Sequence, residues 1–179
     1  MKIKFFIFWL LLVCTNLSAL EPEQYKGIVN LHNTTRAARS QLPLKWSDDL
    51  AKYASQWVNH LASTQNCAMN HRPNKGSSSF KQKYGENLFW ASPEFFNDGK
   101  IELQNINIKH VFNAWEEEKD YYNYQTNTCQ PNKKCGHFTQ IVWHETKEVG
   151  CAMATCSDKS QIWACNYSPR GNYIGEWPY

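Results

Sequence analysis

Residues 135–143 read CGHFTQIVW, and the reading of this stretch sets the rest of the fold. Phe138, Ile141, Val142 and Trp143 make a run rich in aromatic and β-branched side chains, which predicts a buried strand over residues 138–143. Residues 150–155 and 161–167 predict two more strands. His137 then stands at the mouth of the first. Either it is a core histidine with its hydrogen bonds satisfied, or it faces a cavity where chemistry or metal binding takes place.

Upstream of these strands the periodicity is helical. Residues 22–40 carry Tyr25, Ile28, Val29, Leu31 and His32 at helical spacing. Ser47 reads as an N-cap with Asp48 and Asp49 in the first turn, followed by Leu50, Ala54, Trp57, Val58 and Leu61 on one face. Residues 101–122 predict a third helix, with Val111, Phe112 and Trp115 on one side. Residues 41–46 read as a turn around Pro43, and residues 66–83, with Pro73, Gly76 and three serines, as a loop. A short apolar stretch covers residues 87–91, residues 93–100 read as a turn, and residues 123–134 are polar and turn-rich. Helices first and adjacent strands last predict an α+β layered domain, not an alternating βαβ one.

At the N-terminus, Lys2 and Lys4 precede an apolar run, Ile3 and residues 5–13, of secretory length and too short to span a bilayer. Residues 1–19 are therefore expected to be a signal peptide, cleaved near Ala19, and residues 20–179 one domain. Without Lys2 and Lys4 the chain has 17 basic against 16 acidic residues. That balance argues against a nucleic-acid partner, which needs a concentrated basic surface. Of the seven cysteines, Cys14 leaves with the leader, and six remain: Cys67, Cys129, Cys135, Cys151, Cys156 and Cys165. An export signal with an even six predicts three disulfides formed in an oxidising compartment, and no CxxC pair points to a zinc knuckle.

Catalytic motifs are incomplete. Residues 144–148, HETKE, begin like HExxH but lack the second histidine, so they offer no pair of zinc ligands on one helical face. Ser77–Ser79 sit in a loop with no partner suggestive of a nucleophile. Asn33-Thr34-Thr35 is a glycosylation sequon.

Four motifs in order carry a family resemblance: HNTTR (residues 32–36), GENL (85–88), GHFTQIVWHET (136–146) and IWACNYSPRGNY (162–173). The chain resembles the CAP superfamily (cysteine-rich secretory proteins, antigen 5 and pathogenesis-related proteins) from residue 23 to residue 179. With no cysteine-rich tail after GNYIGEWPY, it looks most like the short plant pathogenesis-related type. The resemblance implies a three-layer α-β-α sandwich. It also implies a cavity lined by two histidines and two glutamates, which fall here on His71, Glu86, Glu118 and His137. The pairing it implies is Cys67 with Cys156, Cys129 with Cys135, and Cys151 with Cys165.

Two imidazoles and two carboxylates can bind a divalent metal, act as general acid and base, or form a satisfied polar cluster that only ties layers together. The expected cofactor is Zn2+, on His71 and His137; any catalysis would fall to Glu86 and Glu118. With no nucleophile motif and no HExxH, binding is favoured over catalysis, the alternative being a metal-dependent extracellular hydrolase or protease. The resemblance implies a secreted, monomeric protein with a defence or host-interaction role. Its expected partners are a sterol or fatty acid, other proteins or membrane lipids. Residues 169–179 resemble a C-terminal peptide that some members release, but three large apolar side chains there, Tyr173, Ile174 and Trp177, favour a tail that caps the fold.

Overall fold

The computed structural model describes residues 20–74 and 80–179. The expected signal peptide and Ser77–Ser79 lie outside the described residues. A 3₁₀ turn, Glu23–Tyr25, leads into α1 (Ile28–Ala37), β1 (Lys45–Trp46), α2 (Asp48–Thr64) and β2 (Gly85–Ala91). The short strands β3 (Glu94–Phe95) and β4 (Ile101–Glu102) precede α3 (Ile108–Glu116), which runs on into a 3₁₀ turn, Glu117–Tyr121. Then come β5 (Tyr122–Asn123), β6 (Thr128–Cys129), α4 (Gly136–Ile141), β7 (Glu148–Thr155) and β8 (Gln161–Ser168).

The sheet order is β1-β7-β8-β2, with β1 parallel to β7 and the other pairs antiparallel. Alternation along β7 and β8 sends side chains to two separate cores. Val149, Cys151, Trp163, Cys165 and Tyr167 pack with α1, α3 and α4 through Ile28, Val111, Phe112, Trp115, Phe138 and Ile141. Ala152, Ala154, Ile162 and Ala164 pack against Ala54, Trp57, Val58 and Leu61 of α2. The result is the expected three-layer α-β-α sandwich. The small alanines on the α2 side let that helix lie close to the sheet. Gly150 is required for the same reason: a Cβ there would fall 2.4 Å from the Ser47 carbonyl oxygen and 2.3 Å from the Ala51 nitrogen.

Local signals hold where caps are explicit. The Ser47 hydroxyl accepts the Leu50 N–H at 3.4 Å, and α2 begins at Asp48. Gly27, at φ 93°, turns the chain into α1, and the Glu21 carboxylate accepts the N–H groups of Gly27 (2.7 Å) and Val29 (2.5 Å). The predicted third helix is shorter than residues 101–122. Asn107 caps it by accepting the His110 N–H at 3.0 Å, and the residues before it form β4 and its exit. The turn read over residues 93–100 is the β3–β4 hairpin, and the apolar stretch at residues 87–91 belongs to β2, paired along its length with β8.

The main correction falls on the opening stretch. Residues 138–143 are not a strand: α4 spans Gly136–Ile141. Phe138, Ile141, Val142 and Trp143 are all buried, so no exposed face leaves a helical period in the sequence. Tertiary contacts override β propensity. The Glu118 carboxylate accepts the N–H groups of His137 (2.8 Å) and Phe138 (3.3 Å), satisfying donors that a helix start leaves orphaned.

The disulfides join Cys67 to Cys156, Cys129 to Cys135, and Cys151 to Cys165. The last links directly opposed residues of β7 and β8. Three bonds of this kind fit a protein of an oxidising compartment.

Candidate functional site

His71 lies in the segment after α2, Glu86 on β2, Glu118 in the turn after α3, and His137 in the first turn of α4. They form two His–Glu pairs. The His71 Nδ1–H donates to Glu86 Oε1 at 2.9 Å, and the His137 Nδ1–H donates to Glu118 Oε1 at 2.6 Å. Both imidazoles line one cavity of about 410 Å³, together with Glu86, Asn87, Leu88, Met69, Lys134 and Asn172. Glu118 is not among its walls; it stands behind His137.

The two carboxylates are held from other directions too. The Glu86 side chain is fully buried. Its Oε1 also accepts the Arg72 backbone N–H at 3.1 Å, and its Oε2 accepts Asn166 Nδ2 at 3.4 Å with Arg72 Nε 3.6 Å away. Arg72 is buried with its guanidinium 3.7 Å from the centre of the Tyr53 ring. That burial pulls its pKa below the usual arginine value, and Tyr53 and Glu86 oppose the shift. A buried carboxylate beside a buried guanidinium is a compensated charge.

Behind the cavity a buried polar chain reaches α1. Asn87 Nδ2 donates to the His137 carbonyl (3.1 Å) and to the Tyr167 hydroxyl (3.2 Å). His32 Nε2 lies 3.0 Å from that hydroxyl, and His32 Nδ1 lies 2.8 Å from the Ile28 carbonyl. The carbonyl only accepts, so Nδ1 carries the proton and Nε2 accepts from Tyr167. Burial lowers the His32 pKa to about 4 and raises that of Tyr167, so both are neutral. Arg36, also fully buried, donates to the carbonyls of Leu42, Ile141, Trp143 and Thr146 at 2.7–3.1 Å and fixes the end of α4. Asn33, the sequon residue, is occupied in a two-way bond with the Leu44 backbone, at 2.7 and 3.1 Å.

Sequence reasoning named the two His–Glu pairs from the resemblance but not Arg72, Asn87, Asn166 or Tyr167, which surround them. The available signal was adjacency. Arg72 follows His71, Asn87 follows Glu86, and Asn166 and Tyr167 fall within the fourth motif.

Among the described residues no three His, Cys, Asp or Glu side chains converge as a metal-holding group. The donor chemistry nevertheless fits a cation bound by two imidazoles. A neutral ring that donates from Nδ1 to a carboxylate keeps its Nε2 lone pair free, the arrangement usual for metal-ligating histidines.

A three-layer sandwich with this paired His–Glu cavity and three disulfides is a CAP-type domain. The chain belongs to the cysteine-rich secretory protein family (CAP), which matches residues 29–167. It is 40 % identical over 148 residues to pathogenesis-related protein PR-1 of Medicago truncatula, covering 82 % of this chain and 74 % of that one. It is 37 % identical over 151 residues to pathogenesis-related protein 1C of Nicotiana tabacum, covering 84 % and 78 %. Among solved structures it is similar to BmVAL-1, with a TM-score of 0.68 and 28 % identity over 92 % of this chain and 85 % of that one.

Proposed function

We propose that this is a secreted, defence-related binding protein whose cavity holds a divalent cation, zinc by preference, on His71 and His137. One observation carries the reading. Both rings spend Nδ1 on a carboxylate, leaving Nε2 as the free donor, and both line the same cavity. Two neutral nitrogen donors suit zinc better than calcium or magnesium, which prefer oxygen. Glu86 and Glu118 are already engaged by their histidines and by Arg72, Asn166 or backbone N–H groups, so neither is a free general base. That supports binding over hydrolysis. The pathogenesis-related names of the relatives support the defence role, and the three disulfides support export. A small apolar ligand, of the sterol or fatty-acid class, would use a separate open groove of about 580 Å³, where Leu103, Ile106, Met153 and Trp163 stand among polar residues such as Gln104 and Gln161.

Isothermal calorimetry with zinc tests the cation reading. Saturable 1:1 binding in the wild type, lost in the His71→Ala, His137→Ala double variant, is the expected result. Equal affinity for both proteins would overturn it.

A further inference from the structure

We propose that the cavity is built to hold a carboxylate-bearing ligand on top of the cation, with Lys134 as the specificity-determining residue. The inference rests on the cation reading above and names the ligand class of that same site.

The first argument is a count of donors. Among the described residues no three His, Cys, Asp or Glu side chains are grouped to hold a metal, and the two nearby carboxylates are taken up by the imidazole Nδ1–H groups. A four-coordinate zinc on two histidines keeps about two positions for ligands that are not protein. The second argument is charge. Glu86 is compensated by Arg72, and Glu118 is spent on His137 and two backbone N–H groups. Glu118 keeps its charge behind His137, outside the lining, so within the lining itself the remaining formal charge is that of Lys134. Lys133 and Lys134 are neighbours, but their side chains differ in use. The Lys133 ammonium sits 4.3 Å from the centre of the Tyr121 ring, whereas Lys134 lines the cavity and has no ion pair or hydrogen bond among the described residues. A dication with open positions and an exposed lysine without an ion pair at the cavity's edge form a site for an anion.

The third argument is shape and polarity. Asn172 and Asn87 add carboxamides to the wall, and Met69 and Leu88 add apolar surface. A cavity of about 410 Å³ takes a small organic acid. A carboxylate meets all three features: two oxygens for the open positions, a charge for Lys134 and a carbon skeleton for the apolar wall. The carboxylate could belong to a free acid or to an exposed Asp or Glu of a partner protein.

Co2+ is the probe metal, because its visible absorption reports coordination. Malonate and, separately, a short acidic peptide are titrated into Co2+-saturated protein, with equilibrium dialysis confirming that the metal stays bound. The expected result is a saturable spectral change with malonate. Its dissociation constant should rise at least about five-fold in Lys134→Gln and recover in Lys134→Arg, while Co2+ affinity changes little. A tighter response to the peptide than to malonate would assign the carboxylate to a protein partner and support the inference. An unchanged spectrum, or equal malonate affinity in Lys134→Gln, would overturn it and leave the cation reading standing. Failure of the wild type to bind Co2+ or zinc at all would instead overturn the cation reading on which it rests.

Discussion

One carboxylate, that of Glu118, grips His137 twice: Oε1 accepts the ring Nδ1–H at 2.6 Å, and Oε2 accepts the backbone N–H at 2.8 Å. It thus starts helix α4 and orients the imidazole in a single contact. Helix start and cavity are one device. Glu118→Ala removes the cap, at a cost of about 1–2 kcal/mol in denaturant unfolding. It also frees the ring, and zinc affinity should fall by about 10–100-fold. Glu118→Gln, which still accepts through its carbonyl oxygen, should lose less on both counts. A full stability loss with unchanged zinc affinity would show that Glu118 only caps the helix.

The Tyr167 hydroxyl bridges His32 and Asn87, and Asn87 holds the His137 carbonyl. Tyr167→Phe leaves the His32 Nε2 without a donor in a fully buried place, which costs about 1–3 kcal/mol. It also releases one of the two anchors of Asn87. The expected result is a lower unfolding midpoint together with a shift of the His137 ring signals in NMR. His137 signals identical to wild type would separate the buried chain from the cavity.

The pH dependence of stability follows from His32. Its folded pKa, about 4, is depressed by burial below the ordinary value of 6.5. The folded state therefore binds fewer protons than the unfolded chain between these values. The stability from neutral His32 is full above about 6.5 and is lost as pH falls towards 4. Between pH 7 and pH 5 the loss from this group is about 2 kcal/mol. Urea unfolding at the two pH values, compared between wild type and His32→Gln, checks it: the variant should show the smaller drop. NMR titration gives the same test without a variant, since the ring should stay neutral at pH 5.

The disulfides differ most in the chain they close. Cys67 and Cys156 are 89 residues apart, whereas Cys129 and Cys135 are 6 apart. In the chain-entropy model the long link contributes about 4–5 kcal/mol and the short one about 2–3 kcal/mol. Thermal unfolding of the Cys67→Ser, Cys156→Ser pair should show the larger loss. A larger loss for the Cys129→Ser, Cys135→Ser pair would place the weight of that bond on the native state, where Cys135 precedes α4.

How much of this was legible depended on whether burial left a pattern. Helix α2 is half-exposed, so its apolar stripe and the Ser47 cap are both visible in the sequence. Helix α4 is short and sunk among other elements, with Phe138, Thr139, Gln140 and Ile141 all buried, and its run of apolar and β-branched residues looks like a strand. Its start is satisfied by Glu118, nineteen residues upstream in the chain, which no local rule can find. The same holds for the site. The resemblance pointed to His71, Glu86, Glu118 and His137, of which Glu118 stands behind the cavity and not in its wall, whereas spacing alone says nothing of Arg72 folding under Glu86 or of Asn87 reaching His137. Long-range contacts carry these roles.

The C-terminal tail is the last case, and it is pinned along its length. The Pro169 carbonyl accepts the Thr146 hydroxyl at 3.0 Å, and the Gly171 N–H donates to Gln140 Oε1 at 3.0 Å. Asn172 accepts from Thr139 at 2.8 Å and donates to the Gly136 carbonyl at 2.8 Å. Further on, the His144 N–H donates to the Pro178 carbonyl at 2.7 Å, and the Trp177 indole to the Tyr124 carbonyl at 2.8 Å. Tyr179 stacks on Tyr124 at 4.6 Å and lies 5.7 Å from the Arg39 guanidinium. Contrary to the expectation from their apolar character, Tyr173, Ile174 and Trp177 all stay exposed (43, 104 and 45 %), so polar contacts and the buried Gly171 and Pro178 hold the tail, not burial of these three side chains. Cleavage of the Ser168–Pro169 bond therefore requires several of these contacts to open together, and its rate follows that opening. Mass spectrometry of the protein from its native source should find residues 169–179 still attached. Under limited proteolysis the wild type should persist, and deletion of residues 177–179 should speed loss of the tail by about ten-fold or more. A native species ending at Ser168, or equal cleavage of wild type and deletion variant, would show that the tail is released despite its anchors.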